Sequence, residues 1–100
     1  MSEVNLHEYE AVYVAQSALD DEGVTGLNQR FAQTVVTYGG QVISTEPWGR
    51  RNLAYPIKKN FTGHYVMQRF QMPAQGTNEL ERFLRLNEDV LRYLIVRTDE

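Results

Sequence analysis

The spacing of apolar residues changes along this chain, and that change is the feature that most constrains its fold. In 7–16, apolar and aromatic side chains alternate with a period of two, as in a β-strand. Between 24 and 38 they recur every three or four residues, the spacing of an amphipathic helix. Taken along the whole chain, the spacing predicts the order strand, helix, strand, strand, helix, strand. The predicted strands are 7–16, 41–48 with extension resuming after Gly49, 61–72 and 90–97.

Residues that favour helix ends support this order. Asp20, Asp21 and Glu22 provide a cap and favourable charge for the first helix, and the glycine pair 39–40 ends it. Its apolar stripe is Val24, Leu27, Phe31, Val35 and Tyr38. Thr77 is predicted to cap the second helix. The inward face of that helix would consist of Leu80, Phe83, Leu84 and Leu86.

The predicted fold class is α+β. Two helices cannot bury their stripes on each other and also leave a four-stranded sheet uncovered on both sides, so we expect a two-layer sandwich. Right-handed crossovers then give the ferredoxin-like βαββαβ arrangement, with two helices on one face of an antiparallel sheet and the first and third strands central. We expect a flexible leader at 1–6, a single ferredoxin-like domain at 7–98 and a C-terminal end at 99–100.

In this arrangement one face of the sheet carries no helix. The residues predicted to face the helices include Tyr9, Tyr13, Phe70, Tyr93 and Ile95. The residues predicted on the open face are Val12, Val14, Tyr65, Met67, Leu94 and Val96. An apolar patch of that size usually marks a partner, although a register slip of one residue would turn part of it inward. Gln68 does not fit this assignment, because this polar residue shares a strand face with the apolar Val66 and Phe70.

Charge is distributed unevenly along the 100 residues. The formal net charge of −3 argues against a protein that coats nucleic acid indiscriminately. However, 1–46 contains seven acidic residues and only Arg30 as a base, whereas 47–78 contains no acidic residue. The positive residues of the acid-free segment are Arg50, Arg51, Lys58, Lys59 and Arg69. They form either a solvated basic loop or a site for an anionic partner.

The sequence gives little support to catalysis. The chain has no cysteine, which excludes disulfides, thiolate metal ligands and a thiol nucleophile. Only His7 and His64 titrate near neutrality, and no phosphate-binding glycine loop or metal-ligand spacing occurs. We therefore expect no enzyme activity, no cofactor, no metal and no small-molecule substrate. No apolar run approaches the roughly 20 residues that cross a bilayer, so we expect no membrane partner and a location in the cytoplasm or an organelle matrix.

The most specific motif runs from 49 to 59. Its sequence is Gly49-Arg50-Arg51-Asn52-Leu53-Ala54-Tyr55-Pro56-Ile57-Lys58-Lys59. Gly49 permits a turn or bulge and Pro56 stiffens the backbone, so the four cations would project from a preorganised segment. Leu53 and Ile57 are expected to anchor the strand. Tyr55 could stack on a base or form a core ring with its hydroxyl paired.

This motif resembles the signature of the bacterial small-subunit ribosomal protein S6 family, in which a glycine and a basic residue precede Leu-Ala-Tyr-Pro-Ile and a lysine. The βαββαβ order and the junction at 88–93 are also similar to that family. The resemblance implies a structural protein that binds the central domain of small-subunit rRNA as a heterodimer with ribosomal protein S18. The candidate RNA-binding residues are Arg50, Arg51, Lys58, Lys59 and Arg69. The candidate protein-partner residues are Trp48, Tyr65, Met67, Leu94 and Val96. The sequence ends at Glu100, so we expect no function that depends on the charged tail of some family members.

Two other functions are compatible with the same fold. The first is a binder of single-stranded RNA of the RNA-recognition-motif type, in which aromatic residues of the central strands stack on bases. The segment 61–67 offers aromatic residues and a glycine but lacks the spacing of that motif. A binder of the RNA-recognition-motif type would require His64 and Tyr65 for binding RNA. The second is a ligand-sensing or catalytic domain, in which Glu8 and Glu10 could pair as acid and base.

Overall fold

The computed structural model describes residues 5–99, which form one four-stranded sheet and two helices. The elements are β1 (Leu6–Gln16), α1 (Asp21–Thr37), β2 (Gln41–Ile57), β3 (Asn60–Pro73), α2 (Thr77–Leu86) and β4 (Val90–Arg97), with a 3₁₀ turn at Ala74–Gly76. All strand pairs are antiparallel and follow the order β2-β3-β1-β4. The predicted fold class is confirmed, with β1 and β3 in the centre. Leu6, expected in the leader, belongs to β1, and the rest of the leader at 1–4 lies outside the described residues.

The helix-facing side of the sheet forms the core, as predicted. Tyr9, Tyr13 and Phe70 are buried there, and Tyr93 and Ile95 pack against them from β4. The α1 residues of this core are Val24, Leu27, Phe31 and Val35. The ring of Phe31 lies 5.5 Å from Phe70 in an edge-to-face arrangement and 5.4 Å from Tyr13. Contacts of this kind add to the free energy gained by removing the rings from water.

The two helices begin differently. The Asp20 side chain caps α1 as predicted, because it accepts a hydrogen bond from the backbone N–H of Gly23 at 2.8 Å. The cap predicted for Thr77 is wrong: α2 continues directly from the 3₁₀ turn, and the Thr77 hydroxyl donates to the Ala74 carbonyl at 2.7 Å. Leu86, predicted on the inward face, is instead exposed at the last position of α2.

A chain of hydrogen bonds that reaches into the core accounts for the buried Gln68. Its Nε2 donates to the Tyr13 hydroxyl at 2.9 Å, and the Tyr13 hydroxyl donates to Oδ1 of Asn28. The hydroxyl of Thr45 donates to Oε1 of Gln68. These bonds join α1, β1, β3 and β2 across the core, so the buried amide is satisfied rather than misplaced. Burial raises the pKa of the Tyr13 phenol well above its ordinary value, and the bond from Gln68 opposes this only in part.

We predict that Tyr13→Phe makes the protein less sensitive to alkali. The folded-state pKa of Tyr13 is raised, so its contribution to stability is complete below the unfolded-state pKa of about 10 and is lost as the pH rises above that value. The variant should therefore lose less unfolding free energy between about pH 10 and 11, by up to about 1.4 kcal/mol per pH unit. Urea unfolding of both proteins between pH 8 and 11 measures the difference. Parallel pH profiles would contradict the prediction.

Candidate nucleic-acid interface

The β2–β3 hairpin extends past the rest of the sheet. The pairing of β1 with β3 ends at Gln16 and Gly63, whereas β2 and β3 continue to Ile57 and Asn60. β2 is thus longer than predicted, and extension runs through Gly49, whose φ of 82° requires glycine. Register shifts occur at Val42/Ser44, Pro47/Gly49 and Asn52/Ile57. The projecting hairpin places most of the 49–59 motif outside the two-layer body.

The tip of this hairpin is a two-residue turn made by lysines. Lys58 and Lys59 have φ values of 47° and 67°, so both lie in the left-handed region that a type I′ turn needs and that usually selects Asn and Gly. The Asn60 amide donates to the carbonyls of Ile57 and Lys58, both at 3.2 Å. Its Oδ1 accepts from the Ser17 amide at 3.0 Å and the Ser17 hydroxyl at 2.8 Å. Asn60 therefore fixes the tip to the segment that links β1 to α1.

The two arginines of the motif lie on opposite faces of the hairpin. Arg50 points towards the helix side, where its Nη2 lies 3.4 Å from Nε2 of His64. The same His64 nitrogen lies 2.8 Å from the Leu19 carbonyl, so this histidine is buried and engaged. Arg51 lies on the open side, over the rings of Trp48 and Tyr65 at 5.2 and 5.9 Å. The four motif cations thus surround the hairpin rather than forming one row.

The predicted RNA-binding residues differ in whether they are paired. Within residues 5–99, no carboxylate forms a salt bridge with Arg50, Arg51, Lys58 or Lys59. Arg69 differs, because its Nη2 lies 3.1 Å from Oε2 of Glu10, its cross-strand neighbour on β1. It also lies six residues along β3 from the point where the hairpin leaves the sheet. The structure therefore does not bring Arg69 together with the other four.

The open face contains the residues predicted for it. Val12 is paired with Met67 on one side and Leu94 on the other, which places all three on this face. Of the residues predicted on the open face, Leu94 and Val96 are strongly exposed, whereas Val14 and Met67 are buried. β1 and β3 are central strands, so their side chains are covered by neighbours on both sides, while β4 is an edge strand.

Sequence reasoning missed one arginine on this face. Arg92 pairs with Val14 across β4 and β1, and its guanidinium lies 5.9 Å from the ring of Tyr55. It has the same strand parity as Leu94 and Val96, and that parity could have identified it. Tyr55, for which both a core and a stacking position were considered, is 59% exposed, and Phe61 is 72% exposed. Two aromatic rings therefore stand at the surface of the hairpin among its cations.

Comparison with known proteins identifies the family. The sequence profile described as Ribosomal protein S6 matches residues 8–97. The chain belongs to the ribosomal protein S6 family. This is a family of small-subunit ribosomal proteins rather than of enzymes. The family resemblance of the 49–59 motif is thereby confirmed. Among the described residues, no helix is long and apolar enough to cross a bilayer.

The relatives of this S6-family chain cover nearly its whole length. Small ribosomal subunit protein bS6 of Caldanaerobacter subterraneus subsp. tengcongensis is 42% identical over 95 residues, which are 95% of this chain and 100% of the relative. The bS6 protein of Zymomonas mobilis subsp. mobilis is 44% identical over 91 residues, 91% of this chain and 73% of the relative. The crystal structure of 30S ribosomal protein S6 from Thermotoga maritima has a TM-score of 0.87 and 26% identity, and it covers 94% of this chain and 89% of that chain.

We predict that the double substitution Lys58→Asn/Lys59→Gly stabilises the fold. Asparagine and glycine adopt positive φ with less strain than lysine, so the unfolding free energy should rise by about 1 kcal/mol. Lys58→Gln/Lys59→Gln is the matched control, because it removes the same two charges without relieving the backbone. Urea unfolding of the three proteins measures the effect. Equal midpoints for the two double variants would show that the turn is unstrained.

Proposed function

We propose that this chain binds the central domain of small-subunit rRNA together with ribosomal protein S18, in the cytoplasmic or organellar ribosome. The observation that carries the proposal is a projecting hairpin with four cations that lack carboxylate partners within residues 5–99. Cations that are not paired internally are available to phosphate oxygens. The rest of the chain supplies a net negative charge, so the hairpin is the part suited to RNA.

The arrangement favours recognition of RNA shape over sequence. Arg50 and Arg51 lie on opposite faces of the hairpin and offer planar forks to phosphates, while the Lys58–Lys59 tip adds two point charges. A hairpin with cations on both faces and at its tip fits between two backbone segments of a folded RNA. About four phosphate contacts give little affinity to an anionic protein, which explains the need for a partner.

The open face supports the protein partnership. Leu94 and Val96 on β4 form its exposed apolar part, and Val12 on β1 lies between Leu94 and the buried Met67 on β3. Trp48 and Tyr65 lie nearer the hairpin, beneath Arg51. We place S18 over the apolar part, where a protein surface would remove Leu94 and Val96 from water. The anionic remainder of the chain would assist a basic partner in docking.

The alternative functions have weaker support. A single-strand binder of the RNA-recognition-motif type would use His64 and Tyr65 for stacking, but His64 is buried and bonded to Leu19. A catalytic pair of Glu8 and Glu10 is equally disfavoured, because Glu10 is engaged in an ion pair with Arg69.

We predict that Arg50→Glu/Arg51→Glu prevents stable assembly with S18 on a central-domain rRNA fragment while the fold is retained. Filter binding at several salt concentrations should show a lower affinity and a salt slope smaller by about two, one unit for each lost phosphate contact. Arg82→Glu/Arg85→Glu is the control: it makes the same change in net charge on exposed positions of α2. Unchanged affinity and slope in the first variant, or equal losses in both, would remove the hairpin from the interface.

We also predict that Leu94→Asp weakens S18 binding without unfolding the chain. Leu94 is 62% exposed on the open face, and Leu86 is 63% exposed at the end of α2 on the opposite layer, so Leu86→Asp is a matched control. Burying a carboxylate in an apolar interface should weaken the heterodimer by at least about tenfold, whereas the control should bind normally. Calorimetric titration of each variant with S18, without RNA, measures this. Equal affinities would contradict the placement of the partner.

A further inference from the structure

We propose that the open face next to the hairpin holds one unstacked nucleotide of the RNA, and that Tyr55 and Arg92 are its principal contacts. This inference rests on the proposed function and deepens it, because it adds a base-stacking subsite to the phosphate contacts of the hairpin. The site lies at the end of the face nearest the hairpin and borders the exposed apolar part of the face at Leu94.

The floor of the site is one row of cross-strand neighbours. Val14 on β1 pairs with Tyr65 on β3 and with Arg92 on β4, so the three side chains stand side by side on the open face. Adjacent strands lie roughly 5 Å apart, which makes the row about 10 Å wide. The groove over it has a volume of about 470 Å³, within the size range of small-molecule sites. Its lining residues are Val12, Val14, Tyr65, Arg92, Tyr93 and Leu94.

Two cation–π groups lie next to the groove, and each includes one of its lining residues, Tyr65 or Arg92. On one side the Arg51 guanidinium lies over the rings of Trp48 and Tyr65. On the other side the Arg92 guanidinium faces the ring of Tyr55, which reaches across from the hairpin. The reach of Tyr55 comes from the bulge in β2, where 53–56 lie between the paired residues Asn52 and Ile57. No acidic residue lines the groove.

This combination suits a nucleotide. Guanidinium groups and aromatic rings are the surfaces on which proteins stack unpaired bases of RNA, and the same guanidinium groups can hold the flanking phosphates. Arg51 and Arg92 have no carboxylate partner within residues 5–99, so their charges are available to the phosphates of a ligand. A basic protein partner would leave both arginines uncompensated, and its apolar side chains are better matched to exposed Leu94 and Val96. The charge and flat surfaces therefore favour RNA at this end of the face.

The test uses the full chain in complex with S18 and a central-domain rRNA fragment. Tyr55→Ala and Arg92→Gln should each bind the RNA about tenfold more weakly. Tyr55→Phe should bind as the parent does, because stacking needs the ring and not the hydroxyl. Arg85→Gln on α2 is the matched control for the loss of one charge and should have no comparable effect. Ultraviolet crosslinking of the complex should attach RNA to the peptide that contains Tyr55.

The outcomes separate this inference from the proposed function. Normal RNA binding by Tyr55→Ala and Arg92→Gln, together with failure of Arg50→Glu/Arg51→Glu, would overturn the nucleotide site and leave the hairpin contact standing. Loss of S18 affinity in the absence of RNA would assign this end of the face to the protein partner and would also overturn it. If all the variants bind RNA normally, including Arg50→Glu/Arg51→Glu, the proposed function itself is overturned.

Discussion

The hydrogen bonds that join Asn60 to Ser17 are the interaction on which the presentation of the hairpin depends. Beyond Gly63, β2 and β3 pair only with each other, and an isolated two-stranded hairpin is marginally stable in water. The Asn60 side chain holds the hairpin where no neighbouring strand does. It donates to the Ile57 carbonyl within the turn, and it accepts from the Ser17 amide at 3.0 Å and the Ser17 hydroxyl at 2.8 Å. A hairpin that is already rigid would lose less backbone entropy in the RNA contact that we propose.

Charge separation gives the molecule two electrostatic regions. The outer part of the hairpin, 49–60, contains no acidic residue, and in the described part of the chain no carboxylate lies within ion-pair reach of Arg50, Arg51, Lys58 or Lys59. Several carboxylates instead lie at the start of α1 or in ion pairs with Arg30, Arg69 and Arg97. An exposed ion pair contributes little to stability, so leaving the hairpin cations unpaired has a small cost and keeps them available to phosphate.

The periodicity of the apolar residues predicted the fold and both faces of the sheet, because alternate side chains of a regular strand lie on the same face. Two expectations about the site failed, for different reasons. Arg50 and Arg51 were expected in one cationic group, but neighbouring residues of a strand point to opposite faces. Tyr55 approaches Arg92 from within an irregular stretch of β2, which residue spacing does not encode. Arg92 itself could have been found from strand parity.

The irregular backbone of β2 also bears on how the chain behaves before it reaches the ribosome. β2 is an edge strand of 17 residues, and a straight edge of that length would offer amide groups on which a second molecule could add a strand. Pro47 removes one donor, and three register shifts break the regular row of the others. These irregularities thus leave no straight row of amide groups on which the strand of a second molecule could add.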